Sequence, residues 1–224
     1  MSQPRARKEL LSILDLTLRQ PDVSRADIER ACREARTTGL SGLCVNSSRL
    51  LIATHCLDDS PVKLICAVGF PFGAADADVK RYETETAVDH GAHFIEVSAN
   101  LGRLRDGDDA GLVRELRDVV EAADERPVSL HLDAELVTGD ELRRAAQAAL
   151  DASVKGITLA AGLDATTAAE LLRLIRELAG DKLGLKVEQK GMTILEAATL
   201  LEAGATRFGL SDPTGLLAAV PDED

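Results

Sequence analysis

KLICAVGFPFGAADADVKRYETETAVDHGAHFIEVSAN, residues 63–100, carries one strand–helix–strand unit, and its reading decides the fold. KLICAVGF (63–70) is a short aliphatic run ended by a Pro/Gly turn. ADVKRYETETAVDHGA (77–92) is long and amphipathic and ends at a glycine, where helices stop. HFIEVSAN (93–100) is a second short run of strand type. The same alternation extends in both directions. Strands are predicted at ILDLT (13–17), GLCVN (42–46), VSLHLDA (128–134), GITLAAG (156–162), LGLKVEQ (183–189) and RFGLS (207–211). Helices are predicted over 24–39, 108–124, 138–152, 165–180 and 193–205, with Ser, Asp or Thr near their starts and Gly near several ends. Strands alternating with helices point to a parallel sheet, and eight strands in about 200 residues point to a (β/α)8 TIM barrel. The competing open doubly wound sheet lacks a GxGxxG after its first strand. No linker or low-complexity segment interrupts the pattern, so residues 1–224 are expected to form a single domain. A short N-terminal helix at the barrel bottom and a mobile tail, PDED, are expected at its ends.

Hydrophobic residues make up 45% of the chain and aromatics only 2%, so the core is expected to be aliphatic. No run approaches the ~20 apolar residues that span a bilayer. MSQPRARKELL lacks the apolar stretch and cleavage site of a signal peptide, which predicts a cytoplasmic protein with no membrane partner. A net charge of −12 argues against nucleic acid as a partner, though a few local groups could still hold a small phosphorylated ligand. Cys32, Cys44, Cys56 and Cys66 form no CxxC pair and have no histidine cluster beside them. They are read as reduced, buried thiols, and neither a metal nor a cofactor is expected.

Barrel active sites are built at the C-terminal ends of the strands. Side-chain alternation turns a set of polar residues inward there: Asp15 and Thr17, Cys44 and Asn46, Glu96 and Ser98, Ser129, His131 and Asp133, Thr158, Lys186 and Glu188, and Ser211. Lys186 and Glu188 share a face in GLKVEQ, and a buried lysine beside a carboxylate is costly unless paired or used. Lys186 is therefore either a nucleophilic amine or half of an ion pair with Glu188 or Glu96. His131 falls on the face of Asp133, which suggests an oriented acid–base group. His55, His90 and His93 are expected in surface or capping positions.

LDLTLRQP, LCVNSSRL, AVGFPFGA, GAHFIEVSANLG and LEAGATRFGLS, in that order, resemble the deoxyribose-phosphate aldolase family over residues 10 to 217. The resemblance implies a (β/α)8 barrel that joins acetaldehyde to glyceraldehyde 3-phosphate through a lysine Schiff base, without metal, in a chain that often dimerises. Carried over residue by residue, it places Thr158 where the family has its Schiff-base lysine. Lys186 matches the second lysine, Glu96 an aspartate of the fourth strand, and Asp15 an aspartate of the first, whose alternative role is to orient the strand-one loop or to pair with Lys186. Gln189 and Lys190 stand at the phosphate-holding glycine pair, and Asp212 follows the retained Ser211.

The catalytic candidates are thus Lys186, Glu96, His131, Asp15 and Asp133. The substrate-binding candidates are Thr17, Cys44, Asn46, Ser98, Thr158, Glu188, Lys190 and Ser211. Three activities remain open for a small-molecule substrate. One is an aldolase-like lyase with Lys186 as the amine and Glu96 and His131 moving protons. Another is an imine-free acid–base enzyme of decarboxylase, isomerase or cyclase type. The third is an inactive metabolite-binding homologue. A homodimer is the expected assembly.

Overall fold

The structure is a computed structural model that describes residues 7–160 and 162–220. The tail expected to be mobile, 221–224, lies outside the described residues, as does Ala161 of the sixth strand's exit. Eight strands, β1 (Leu14–Leu18), β2 (Gly42–Asn46), β3 (Lys63–Val68), β4 (Phe94–Ser98), β5 (Val128–Asp133), β6 (Gly156–Ala160), β7 (Gly184–Gln189) and β8 (Arg207–Leu210), pair in parallel. They close in sequence order, β8 pairing back to β1. Around them run α1 (Arg7–Leu11), α2 (Arg25–Thr38), α3 (Ser47–Cys56), α4 (Ala77–Asp89), α5 (Leu101–Asp106), α6 (Asp109–Ala122), α7 (Gly139–Asp151), α8 (Ala165–Ala179), α9 (Ile194–Glu202) and α10 (Thr214–Ala218). The (β/α)8 barrel read from the alternation is the fold.

Local chemistry explains the boundaries. Ser24, Thr138 and Thr193 each accept from the backbone three residues on, and Asp27, Glu141 and Glu196 return the bond, so α2, α7 and α9 start on capping boxes. Gly39 ends α2 with a left-handed backbone. The stretch predicted as helix to residue 92 stops at Asp89, with His90 as its cap. Alternation holds in the strands. Leu43, Val45, Leu64, Ile95, Leu130, Ile157, Leu185 and Phe208 point outward and are buried under the helices in one aliphatic core. Inside the barrel, Cys44, Ile65 and Ala67, with Phe70 and Phe94, form a small separate apolar cluster.

One buried ion pair lies outside the barrel interior. Lys80 of α4, fully buried, donates to Glu115 Oε1 of α6 at 2.5 Å and to the Ser98 carbonyl at 2.9 Å. Burial pulls the Lys80 ammonium down from its usual value while Glu115 opposes it. The pair ties both helices to the end of β4. No helix among the described residues is long and apolar enough to cross a membrane.

Candidate active site

The barrel interior holds charge. Lys186 Nζ donates to Glu96 Oε1 at 2.7 Å and lies 3.2 Å from both Asp15 Oδ2 and Glu188 Oε1. Arg207 grips Asp15 with two bonds of 2.6 Å. Arg19 binds Glu188, and its Nη1 lies 3.6 Å from Glu96. Three carboxylates therefore face three cations, and the cluster is neutral as a whole. All three carboxylates offered as ion-pair partners for Lys186, Glu96, Glu188 and Asp15, are engaged.

The space for this cluster comes from missing side chains. A Cβ on Gly209 would sit 2.6 Å from Lys186 Cε and 2.9 Å from Glu188 Cγ. One on Gly42 would meet Asp15 Oδ1 at 2.6 Å. Such distances force neighbours to move, so glycine here serves close approach.

Electrostatics fix the protonation states. Burial alone would lower Lys186, but the fields of Glu96, Asp15 and Glu188 outweigh it and hold the ammonium well above its usual range. Burial alone would raise Glu188, but Lys186 and Arg19 outweigh it and hold the carboxyl well below the usual range. Burial pushes the thiols of Cys32, Cys44 and Cys66 up, Cys32 to about 12. These directions set a stability profile. The depressed Glu188 contributes stability above its unfolded pKa of ~4.3, lost as pH falls through its folded value. Lys186 and the thiols contribute stability below their unfolded values, ~10.4 and ~8.5, lost as pH rises toward the folded ones. A melting-temperature series should therefore decline above about pH 8.5. A curve still rising from pH 9 to 11 would contradict these assignments.

The C-terminal mouth is a cleft of about 610 Å³ whose lining includes Thr17, Arg19, Phe70, Asp133, Glu188 and Lys190, with Ser211 at its edge. Lys186, Glu96 and Asp15 lie deeper, beneath Glu188 and Arg19. Thr158 is fully buried beside them and donates to Glu96 at 3.3 Å. Cys44 Sγ is 3.6 Å from Glu96 Oε2. Cys44, Glu96 and Glu188 are close enough together to hold a metal ion, but Lys186 and Arg19 already neutralise their carboxylates. Asn46 spends its amide on the Arg19 carbonyl at 2.9 Å and so holds the loop after β1. Ser98 Oγ is buried without a hydrogen-bond partner.

His131 corrects one expectation. Its carboxylate neighbour is Glu188, with Nε2 3.4 Å from Oε2, rather than Asp133. Residues two apart on a strand stand ~6.6 Å from each other, whereas a side chain from across the barrel can come closer. Asp133 instead accepts the Glu135 amide and faces the mouth. His131 Nε2 and Arg19 Nη1 are buried and make no hydrogen bond. Phe70 meets the His131 ring edge-on at 5.6 Å, and the Arg19 guanidinium lies 4.2 Å from the Phe70 ring centre. Arg19, Phe70 and Arg207 were missed by the sequence reading.

No family model matches the chain. Curated relatives do. A deoxyribose-phosphate aldolase 1 from Bacillus licheniformis is 31% identical over 220 residues, covering 97% of this chain and 99% of its own. A deoxyribose-phosphate aldolase from Exiguobacterium sibiricum is 34% identical over 204 residues, covering 90% and 92%. Among solved structures, a tetrameric deoxyribose phosphate aldolase from Aeropyrum pernix superposes with a TM-score of 0.85 at 24% identity, covering 96% of this chain and 92% of that one.

Proposed function

The chain belongs to the deoxyribose-phosphate aldolase family, and on that premise we propose that it is an aldehyde-lyase that cleaves or forms a carbon–carbon bond of a small hydroxy-aldehyde held in the mouth of the barrel. The observation that carries the mechanism is the placement of Lys186. An imine needs a neutral, reachable amine. This one is an ammonium ringed by three carboxylates and roofed by Glu188 and Arg19. Lys186 then works as a fixed positive charge that pairs with Glu96 and Asp15 and helps hold the Glu188 carboxyl well below its usual range.

Cleavage without an imine needs a base for the β-hydroxyl proton and a charge for the enolate oxygen. His131, free of hydrogen bonds at Nε2 and oriented by Glu188, takes the hydroxyl proton as the carbon–carbon bond breaks. The bonding electrons move onto the carbonyl oxygen, which the unpartnered Nη1 of Arg19 receives. The imidazolium of His131 then returns that proton to the enolate carbon, which gives the second aldehyde and restores the neutral base. Lys190 and Ser211, at the rim, are the groups that a substrate phosphate would meet.

Borohydride trapping tests this reading. The protein is mixed with acetaldehyde, deoxyribose or deoxyribose 5-phosphate, reduced, and mapped by peptide mass. Aldehyde release from either sugar with no lysine adduct is the expected result. An adduct on Lys186 would make it the amine and overturn the imine-free route. Absence of both adduct and turnover would leave a binding protein.

A further inference from the structure

Two of the four cysteines meet outside the barrel. Cys32 of α2 is buried, only 1% exposed, and Cys56, the last residue of α3, is half-buried. Cys56 thus departs from the buried thiol expected. α2 and α3 pack side by side, and both cysteines line one surface depression of about 280 Å³, with Glu29, Arg33 and Arg36 as its other walls. The two thiols act on each other: burial first, and Cys56 next, push the Cys32 thiol up to about 12. Arg36 Nη2 reaches across from α2 to the carbonyls of Cys56 at 3.3 Å and Asp58 at 2.9 Å, and so pins the end of α3 beside Cys32. Cys44 lies inside the barrel and Cys66 in the aliphatic core, neither of them in this depression.

This arrangement has the parts of a reversible dithiol. Oxidants attack a thiol that solvent reaches in a locally positive setting. Cys56 is reached by solvent, and the side chains of Arg33 and Arg36 stand in the same walls. A second thiol beside the first turns its first oxidation product into a disulfide and so protects it from irreversible oxidation. Cys32 is that second thiol, held protonated by its burial until it is used.

We propose that Cys32 and Cys56 form a redox site, oxidised by a small hydroperoxide to a disulfide that ties α2 to α3 and reopened by a thiol reductant. The Cys56 thiolate attacks a peroxide oxygen and the O–O bond breaks. Cys56 becomes a sulfenic acid, and the departing oxygen takes up the proton that the thiol had shed. The sulfur of Cys32 then attacks the sulfur of Cys56. The S–O bond breaks, and hydroxide leaves as water with the Cys32 proton. The two thiols together lose two electrons, and the peroxide gains two. The bridge closes a loop around β2, whose Asn46 holds the loop after β1. Loop closure removes freedom from the unfolded chain, so the oxidised form is the more stable one. The site is separate from the charged cluster and does not rest on the lyase reading.

The test treats the folded chain with a small excess of hydrogen peroxide, blocks remaining thiols by alkylation and digests with trypsin without reductant. Cleavage after Arg and Lys leaves Cys32 in peptide 31–33 and Cys56 in peptide 50–63, apart from Cys44 and Cys66. These two peptides should appear joined, lighter by two hydrogens than their sum, and dithiothreitol should separate them. The oxidised protein should melt at a higher temperature than the reduced one. Cys32→Ser should abolish the bridge and leave Cys56 as a sulfenic acid that dimedone labels. Cys56→Ser should abolish it and leave Cys32 unlabelled. In both variants peroxide should leave the melting temperature unshifted. Absence of the joined peptide from folded protein, its formation only in denaturant, or a bridge that lowers the melting temperature would overturn the proposal.

Discussion

Lys186→Met should destabilise the protein by about 3–5 kcal/mol, the usual cost of stripping one partner from a buried ion cluster. In a chain of this size that corresponds to a loss of roughly 6–20 °C in melting temperature. The reason is the charge count. Asp15, Glu96 and Glu188 are balanced by Lys186, Arg19 and Arg207. Removing the lysine leaves three buried carboxylates against two guanidiniums, and one carboxyl must take up a proton or draw in water. Methionine preserves most of the side-chain volume, so a cavity contributes little. Urea unfolding measures the loss directly. The double variant Lys186→Met, Glu96→Gln restores the charge balance and should recover part of the stability, because the two sites are in direct contact. A cost below about 1 kcal/mol for the single variant would mean that water reaches the cluster well enough to replace the ammonium.

His131→Asn should reduce kcat/KM for aldehyde release by about 10²–10⁴, the range for losing a positioned proton-transfer group. Asparagine retains a polar side chain of similar reach but cannot cycle a proton. The pH profile separates this from a packing effect. The wild-type limb that reports the base should disappear in the variant, while the fold, read by melting, remains intact. Phe70→Leu supplies the comparison, since it removes the ring edge against His131 but leaves the imidazole. If His131→Asn costs less than threefold while Lys186→Met abolishes turnover in folded protein, the roles assigned to the two residues are reversed.

The barrel was legible because its signals are local. Capping residues, terminal glycines and two-residue alternation each act over a few positions and all agree along this chain. Helix α3 was missed because it starts directly after β2, on Asn46, whose side chain makes no cap bond. α5, of only six residues, gave too little periodicity to read. Within the site, alternation placed Asp15, Glu96, Lys186 and Glu188 correctly in the interior. It also held the means to find Arg19. Ending the first strand at Thr17 hid it, while one further step of two residues leads from Asp15 and Thr17 to Arg19. Arg207 stands on the same parity as Gly209 and Ser211. What alternation could not supply was the partner of His131. That depends on how far the strands are staggered around the barrel, a property of the closed sheet rather than of any one segment.

Closure has a consequence for how the molecule meets others. Each of the eight strands already has a neighbour on both sides, β1 and β8 included. Among the described residues, no strand of the barrel leaves a row of backbone amides and carbonyls bare to recruit a strand from another chain. Strand addition, one route by which sheets join and by which they aggregate, is therefore closed to the barrel. A partner that meets the barrel therefore meets the side chains of its helices and loops, with the sheet carried intact into the complex.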